Sequence, residues 1–469
     1  MFIGRRDQLG QLDSLLRRVQ TRHDAKPGMA LLVRGRRRVG KSRLVEEFID
    51  RARVPHLFFA ASGRPLRDEL RLFADEVAAS DLPGADLFAG VELQSWDAAL
   101  RLLGRALPDS GSIVVLDEVP YLIAADAHFE ATLQHAFDRE LSKRRVLLIG
   151  IGSDLSMMES LNGYGRPFHQ RASEMVVPPL RPAEVGSMLG LSPAESFDAY
   201  LVTGGLPLIC AEWPNGASLS EYLAGAVESP TSALLVSAER SLAAEFPSDT
   251  QARTVLSAIG SGERTFTAIG RAVGIPAASL NRSLSLLTAK RIVAVDEPIS
   301  TKSANDKRYR IADPYMRFWL AFLGPHMDEI ERGRGDRVLA RIRTSWTSWR
   351  GRTIEPVVRE AIERLAPPMI RMGDDVPGVV GGYWTRTNNP EIDIVVADRA
   401  PVAKRILAAG SIKWLENSPF DGHDLGRLQA HRFRLPGAAA DTPLIAVSRS
   451  GWTVDGVLRL GPDELIDAG

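Results

Sequence analysis

Cysteine is almost missing from this chain: among 469 residues there is one, Cys210. A disulfide framework and a zinc site built from several thiolates are both excluded. Net charge is missing too, because 58 Lys and Arg residues balance 58 Asp and Glu. Neutrality argues against a molecule coated in positive charge, yet it leaves local patches open. Long apolar runs are lacking; Val146–Ile151, one of the longest, falls far short of the roughly 20 residues a membrane helix needs. The opening MFIGRRDQL has none of the apolar core of a signal peptide. A cytoplasmic protein with no membrane partner is expected. What is present is an ordinary globular composition, 45% hydrophobic and 25% charged, without internal repeats or low-complexity segments. At roughly 100–200 residues per domain, the length suggests about three domains.

Residues 1–180 alternate apolar runs (Ala30–Val33, His56–Ala60, Ile113–Leu116, Val146–Ile151) with helical stretches. That is the βα pattern of a parallel sheet buried on both faces. Leu9, Leu12, Leu15, Leu16 and Val19 mark an amphipathic opening helix. Residues 181–247 read as short helices interrupted by Gly204-Gly205-Leu206-Pro207. Over 248–312, three helices (Thr250–Ile259, one capped by Thr265, and Ala277–Thr288) precede a hairpin of Ile292–Val295 with Lys307–Ile311. This is the element order of a winged helix. A helical connector, 313–350, carries Tyr315, Phe318, Trp319 and Phe322 at the spacing of a buried stripe. Residues 351–469 open with a helix around Glu355 and continue with strands near Tyr383, Ile392–Val396 and Leu444–Val447.

Chemistry is concentrated in Gly35-Arg36-Arg37-Arg38-Val39-Gly40-Lys41-Ser42, which fits G-x-x-x-x-G-K-[ST]. Glycines let backbone N–H groups turn inward around phosphate oxygens, and the helix beginning near Lys41 aims its positive end at the same anion. Lys41 places a point charge on the β- and γ-phosphates, and Ser42 offers a hydroxyl to Mg²⁺. Gly35, Arg38, Val39, Gly40, Lys41, Ser42 and Arg43 are the expected nucleotide-binding set. The loop follows an apolar strand and precedes Leu44, Val45, Phe48 and Ile49 at helical spacing, the context the motif requires. Ser112–Glu118 is an apolar strand ending in two carboxylates. Asp117 is expected to hold Mg²⁺ with Ser42, and Glu118 to deprotonate the attacking water. Val146–Ile151 ends in Gly152-Ser153-Asp154, where Ser153 is the candidate sensor of the γ-phosphate and Asp154 a candidate helix cap. Arg166 and Arg171 are candidates to neutralise transition-state charge, in cis or from a neighbouring copy in a homo-oligomer.

FIGRRDQL, GRRRVGKS, VVLDE, GSDLSMM, GGLP and Tyr309-Arg310-Ile311-Ala312-Asp313-Pro314 together resemble the archaeal-type P-loop ATPases. These belong to the AAA+/STAND group and are related to origin-recognition ATPases. The resemblance implies an α/β P-loop NTPase parallel sheet core with a helical lid, followed by a winged helix and an α+β C-terminal domain. It implies that Phe2, Ile3 and Gly4 line the adenine pocket and that Gly205 and Pro207 sit in the lid. The family's arginine aligns best with Arg171. Where the family has Gly-Ser-Ser, this chain has Gly152-Ser153-Asp154, which leaves Ser153 as the sensor.

Over 248–312, ten Lys and Arg face five Asp and Glu, a local surplus that suits phosphate-backbone binding. Arg282, Lys290, Lys302 and Lys307 are the candidate DNA contacts. The third helix has few long polar groups to read base edges, so binding without sequence specificity is expected. By the same resemblance, residues 351–469 are similar to a restriction-endonuclease core. Such a core needs one Asp and a second carboxylate two residues before a lysine to hold its metal. Asp393 supplies the first, but Gly410-Ser411-Ile412-Lys413-Trp414 places Ser411 where the glutamate belongs. Metal affinity should fall unless Glu355 or Glu416 compensates, so Glu355, Asp393 and Lys413 are expected to be a vestigial nuclease site. His423 and His431 match no common ligand spacing.

The leading expectation is an ATP- and Mg²⁺-dependent switch associated with DNA. The alternatives are an ATP-regulated Mg²⁺-dependent nuclease and a signalling scaffold that binds a protein partner through the winged helix or C-terminal domain.

Overall fold

The computed structural model describes the chain except residues 1, 23, 162, 164, 165, 167, 169, 170, 247–249, 368–370, 373–375, 468 and 469. For residues 155, 156, 244, 245, 250, 371, 372, 376 and 377 it describes the backbone alone. The boundary expected at 247/248, and Asp249 of the charge count, therefore lie outside the described residues. Contacts divide the chain into two compact units, residues 1–179 and 180–469.

In the first unit, α1 (Arg6–Thr21) leads into β1 (Met29–Arg34), α2 (Lys41–Ala52), β2 (His56–Ala60), α3 (Leu66–Ala79) and α4 (Trp96–Ala106). Then come β3 (Ser112–Asp117), α5 (Val119–Ala125), α6 (Phe129–Arg139), β4 (Val146–Gly152), α7 (Leu155–Leu161) and β5 (Ala172–Val176). The strands form one parallel sheet in the order β2-β3-β4-β1-β5. Every residue of β3 and β4 is buried, which is why both read as unbroken apolar runs. Because β4 pairs with both β1 and β3, the loops leaving these three strands emerge side by side at one sheet edge. Open α/β sheets bind ligands at that edge, where the strand order reverses. One face of the sheet is packed by Phe59, Phe73, Phe88, Trp96 and Phe129, with Phe73 and Phe129 set edge-on to Trp96 at 5.3 and 5.2 Å.

The second unit begins with five helices: α8 (Pro182–Leu189), α9 (Pro193–Thr203), α10 (Pro207–Cys210), α11 (Leu219–Glu228) and α12 (Ala233–Glu245). Three more follow, α13 (Thr250–Gly260), α14 (Phe266–Val273) and α15 (Ala277–Ala289), then the antiparallel pair β6 (Val293–Asp296) and β7 (Arg308–Ile311). Thr265 accepts a capping bond from the N–H of Ala268, and Leu280, Leu284 and Leu287 are buried. The aromatic stripe is core, but it is not one α-helix. After α16 (Pro314–Phe318), residues Trp319–Leu323 take a π-helical turn that keeps Trp319 and Phe322 on the buried side.

After the short α17 (Met327–Glu331), one helix, α18 (Gly335–Leu365), runs through the expected boundary at 350/351, with Pro356 inside it. Next are the short pair β8 (Arg371–Met372) and β9 (Val376–Pro377), then β10 (Val379–Trp384), β11 (Glu391–Ala397), β12 (Ile406–Lys413), α19 (Gly422–Arg434), β13 (Leu444–Ser448), β14 (Leu458–Leu460) and α20 (Pro462–Ile466). The sheet order is β10-β11-β12-β13-β14, antiparallel up to β12 and parallel beyond it.

Two features knit this unit together. Arg350 of α18 is fully buried, ion-paired with Asp198 of α9 at 3.1 Å and with Glu416 at 2.5 Å. Arg449 joins the same Asp198 at 2.9 Å. The loop between β6 and β7 lies on the C-terminal sheet: Ile299 is 3% exposed inside the apolar cluster of Tyr383, Ile392, Val395 and Phe420. Backbone bonds run from Ile299 N–H to Gly382 O (2.9 Å) and from Ala403 N–H to Ser300 O (2.9 Å). Arg308 at the base of that loop donates to Glu391 and Asn388 at 2.6 and 2.7 Å, its guanidinium 4.3 Å from the Trp384 ring centre.

Candidate functional site

The loop between β1 and α2 is built as the motif demands. Gly40 (φ 85°) and Arg38 (φ 70°) take left-handed backbone, and a Cβ on Gly35 would stand 2.5 Å from the Val177 carbonyl oxygen. α2 begins at Lys41, whose side chain is 6% exposed. Its Nζ donates to the loop's own carbonyls, Gly35 O at 3.0 Å and Arg36 O at 3.1 Å. Burial lowers the Lys41 pKa; Glu118 and Asp117 push it back up, and Arg37 adds to the lowering.

The two acids stand at the neighbouring strand end. The Ser42 hydroxyl donates to Asp117 Oδ2 at 2.6 Å, and Asp117 Oδ1 accepts the Glu118 N–H at 2.8 Å. Hydroxyl and carboxylate thus converge from α2 and β3 onto one point, the donor set that suits Mg²⁺. Glu118 has φ 54°, an uncommon backbone for a side chain with a Cβ. Its two carboxylate oxygens each lie 3.1 Å from the Ser153 hydroxyl at the tip of β4. Asp154 does what a cap does, accepting the Met157 N–H at 2.9 Å.

Other expected residues are placed differently. Arg43 is exposed and pairs with Glu46 on its own helix at 3.2 Å. Arg166 is bound to Glu130, and Arg171 to Asp138 at 3.0–3.1 Å, so both face α6. Phe2, Ile3 and Gly4 are half-buried just ahead of α1. Pro207 opens α10 in the second unit, after Gly204 and Gly205 with φ 60° and 64°. One anchor was missed by the sequence reading: Arg5, 4% exposed, donates to the Val39 carbonyl at 2.9 Å and ties the start of the chain to the loop. Arg37 was missed as well; it donates to the Tyr121 hydroxyl at 3.1 Å.

In the second unit the four expected DNA contacts diverge. Arg282 and Lys302 are exposed. Lys307 is ion-paired with Glu297 at 2.7 Å, and that hydrogen bond raises its pKa. Lys290 lies 5.5 Å from the ring centre of Phe246. Arg310 pairs with Asp296, already counted within 248–312, whereas Arg253 (Glu239) and Arg308 (Glu391) are paired with acids outside that stretch, which takes two charges from the local surplus.

Asp393 and Ser411 do meet, in a cleft of about 290 Å³ lined by Arg264, Arg352, Glu355, Glu391, Arg427 and His431 among others. Asp393 Oδ2 accepts the Ser411 hydroxyl and the Ile412 N–H, both at 2.9 Å. Burial raises the Asp393 pKa, and those two bonds only partly offset it. Glu355 bonds Arg359 at 3.1 Å, and burial pushes its pKa up to about 7 against the pull of Arg359. Lys413 is drawn off to Asp424 at 2.6 Å. Glu416, the other expected compensating acid, is taken by Arg350. His431 lies against the Glu391 carbonyl, Nδ1 to O 2.9 Å. Among the described residues, no group of three or more His, Cys, Asp and Glu could hold a metal ion. The acids of this cleft do not fit a divalent cation. Beside them, Arg317 is pressed down to about 10, first by burial and then by Arg310, with Arg352 and Arg264 pushing the same way.

The first unit has the fold of a P-loop NTPase core. Residues 319–423 match the family DUF234, described as "Archaea bacterial proteins of unknown function". No curated protein matches the chain. Among solved structures it is similar to the Walker-type ATPase PABY2304 of Pyrococcus abyssi, at 21% identity over 68% of this chain and 96% of that one, TM-score 0.46. It is also similar to the Aeropyrum pernix ORC2 protein solved in ADPNP–ADP complexes (14% identity, 73% and 97% covered, TM-score 0.45). A third is the Aeropyrum pernix ORC1 protein in complex with DNA (16% identity, 70% and 95% covered, TM-score 0.34). No described helix is long and apolar enough to cross a membrane.

Proposed function

We propose that this chain is an ATP-binding and ATP-hydrolysing switch whose turnover is coupled to a DNA-associated winged helix. The observation that carries the reading is the 2.6 Å bond between Ser42 and Asp117, set beside Lys41 and Glu118 at one sheet edge. Lys41 exchanges its bonds to Gly35 O and Arg36 O for the β- and γ-phosphates of the substrate. Ser42, and Asp117 through water, would hold Mg²⁺, which would supply positive charge to offset that of the phosphates. Glu118 takes a proton from water as its oxygen attacks the γ-phosphorus and ADP departs. Ser153 holds the Glu118 carboxylate through both oxygens, which makes it a positioning residue for that base.

Phe2, Ile3 and Gly4 belong to the adenine side of the site, and Pro207 to the lid. Arg171 serves as the charge-neutralising arginine after leaving Asp138, within one copy or across a homo-oligomer. On the winged helix, Arg282 and Lys302 are the exposed cations for a DNA backbone, with Lys290 and Lys307 secondary. Mixed pairing on this surface and the small polar groups of α15 favour binding without sequence specificity. A protein partner on the winged helix or C-terminal domain is the second reading, favoured by the docking of the β6–β7 loop on the C-terminal sheet.

Lys41→Ala should abolish nucleotide binding, and Glu118→Gln should bind ATP without turning it over. Normal turnover by Glu118→Gln overturns the assignment of the base. ATPase rate measured with and without DNA tests the coupling, and stimulation supports the first reading over the second.

A further inference from the structure

The C-terminal cleft has lost the donors a cation needs, and a charge account of its walls shows what it retains. Every carboxylate there is already engaged inside the protein. Glu391 is held by Arg308 at 2.6 Å, Glu355 by Arg359 at 3.1 Å, and Asp393 by the Ser411 hydroxyl and Ile412 N–H at 2.9 Å. Asp424, just behind the cleft, is occupied by Lys413 at 2.6 Å. The guanidinium groups are in the opposite condition. Arg264, ahead of α14, and Arg352, on α18, line the cleft, and neither side chain has a hydrogen-bond or ion-pair partner among the described residues. Arg427, from α19, has one distant bond, to Asp424 at 3.3 Å. The uncommitted bonding capacity is therefore cationic, from Arg264 and Arg352 on two elements, with Arg427 of a third element lining the same hollow.

From this we infer that the cleft is an anion site that takes a phosphate group on Arg264, Arg352 and Arg427, in place of a divalent cation on Asp393. Guanidinium groups arriving from different directions suit the several oxygens of a phosphate, and charge-assisted bonds of this kind are the strong ones. Ser411 is central to the change. A glutamate there would need a cation to offset it beside Asp393, whereas the serine hydroxyl donates to Asp393 and satisfies it without one. The phosphate can come from a nucleic-acid backbone or from a free phosphate; the chemistry at the cleft is the same.

The test uses the full chain carrying Lys41→Ala, which removes phosphate binding at the P-loop. Titration calorimetry with inorganic phosphate should show one site. Adding Arg264→Gln and Arg352→Gln should weaken it by about tenfold or more, while Arg264→Lys with Arg352→Lys retains part of it. Both side chains are unpaired, so the substitutions leave folding intact, and an unchanged melting temperature without phosphate verifies this. Phosphate affinity indifferent to the two arginines overturns the inference. So does Mn²⁺ binding, followed by electron paramagnetic resonance in the Lys41→Ala chain, that disappears with Asp393→Asn. Competition by a short single-stranded oligonucleotide, lost with the arginines, identifies a nucleic-acid backbone as the source; phosphate binding without such competition identifies a free phosphate.

Discussion

The hydroxyl of Ser153 lies 3.1 Å from both carboxylate oxygens of Glu118, joining the tips of β4 and β3 across the sheet edge. One donor shared by two acceptor oxygens centres the carboxylate, and Glu118 already sits on left-handed backbone at φ 54°. The side chain is thus aimed from two sides, by its own main chain and by the neighbouring strand.

Removing that donor should affect catalysis more than binding. Ser153→Ala should lower kcat by about tenfold or more with little change in nucleotide affinity, against the roughly 10²–10⁴-fold attributable to the base itself. Ser153→Thr keeps the hydroxyl and should recover most of the rate. That rescue is the discriminating readout, together with an unchanged melting temperature for Ser153→Ala, because a merely structural loss would lower the melting temperature as well as kcat.

The buried cation of the second unit makes a stability prediction. Arg350→Ala leaves buried Asp198 with Arg449 as its remaining cation and frees Glu416, so unfolding free energy should fall by about 2–3 kcal/mol. Arg449 still pairs with Asp198 at 2.9 Å, so Asp198→Asn on top of Arg350→Ala should cost less than the two single losses added together. Urea denaturation of the two variants measures both effects, and a negligible change for Arg350→Ala would count against the network.

Glu355 gives a pH dependence of defined sign. Its folded pKa is about 7 against an ordinary 4.5, so folding favours the protonated form. The stability it contributes is present below about pH 4.5 and is lost as pH rises through about 7. Glu355→Gln should therefore be more stable than the parent by roughly 3 kcal/mol near pH 8, and equal to it near pH 4. Melting curves across that range decide it; parallel curves would refute the assignment.

Docking of the β6–β7 loop can be broken at one apolar side chain. Ile299→Asp buries a charge in the cluster of Tyr383, Ile392, Val395 and Phe420, and should release the loop. Limited proteolysis should then cut between residues 297 and 307 faster than in the parent chain, and the unit should lose about 3 kcal/mol or more. Unchanged protection would show that the backbone bonds alone hold it.

Much of the nucleotide site was legible because its signals are local. A parallel strand buried on both faces must be apolar throughout, so β1, β3 and β4 announce themselves, and Gly40 and Lys41 carry their own backbone requirements. Ser153 was legible as a strand tip, but its bond to Glu118 depends on β4 lying beside β3, which no local pattern encodes. Arg5 left no signal, since its target is a main-chain carbonyl 34 residues away. A charge count over 248–312 cannot register pairing beyond that stretch for a similar reason: Arg308 finds its acid at Glu391, 83 residues later. The reading began a helix around Glu355, whereas α18 runs unbroken from Gly335 to Leu365 with Pro356 inside it.

The position of Ile299 has a consequence for how the protein is made. The C-terminal sheet counts among its core residues one that is synthesised some eighty residues before its first long strand. During synthesis, Ile299 and its loop leave the ribosome with their apolar side exposed and must wait for β10 to β13. Closure over so long a stretch is a slow, non-local step. The order of elements along the chain is therefore not an order of independent folding: the apolar side of the β6–β7 loop is covered only once β10 to β13 have been made.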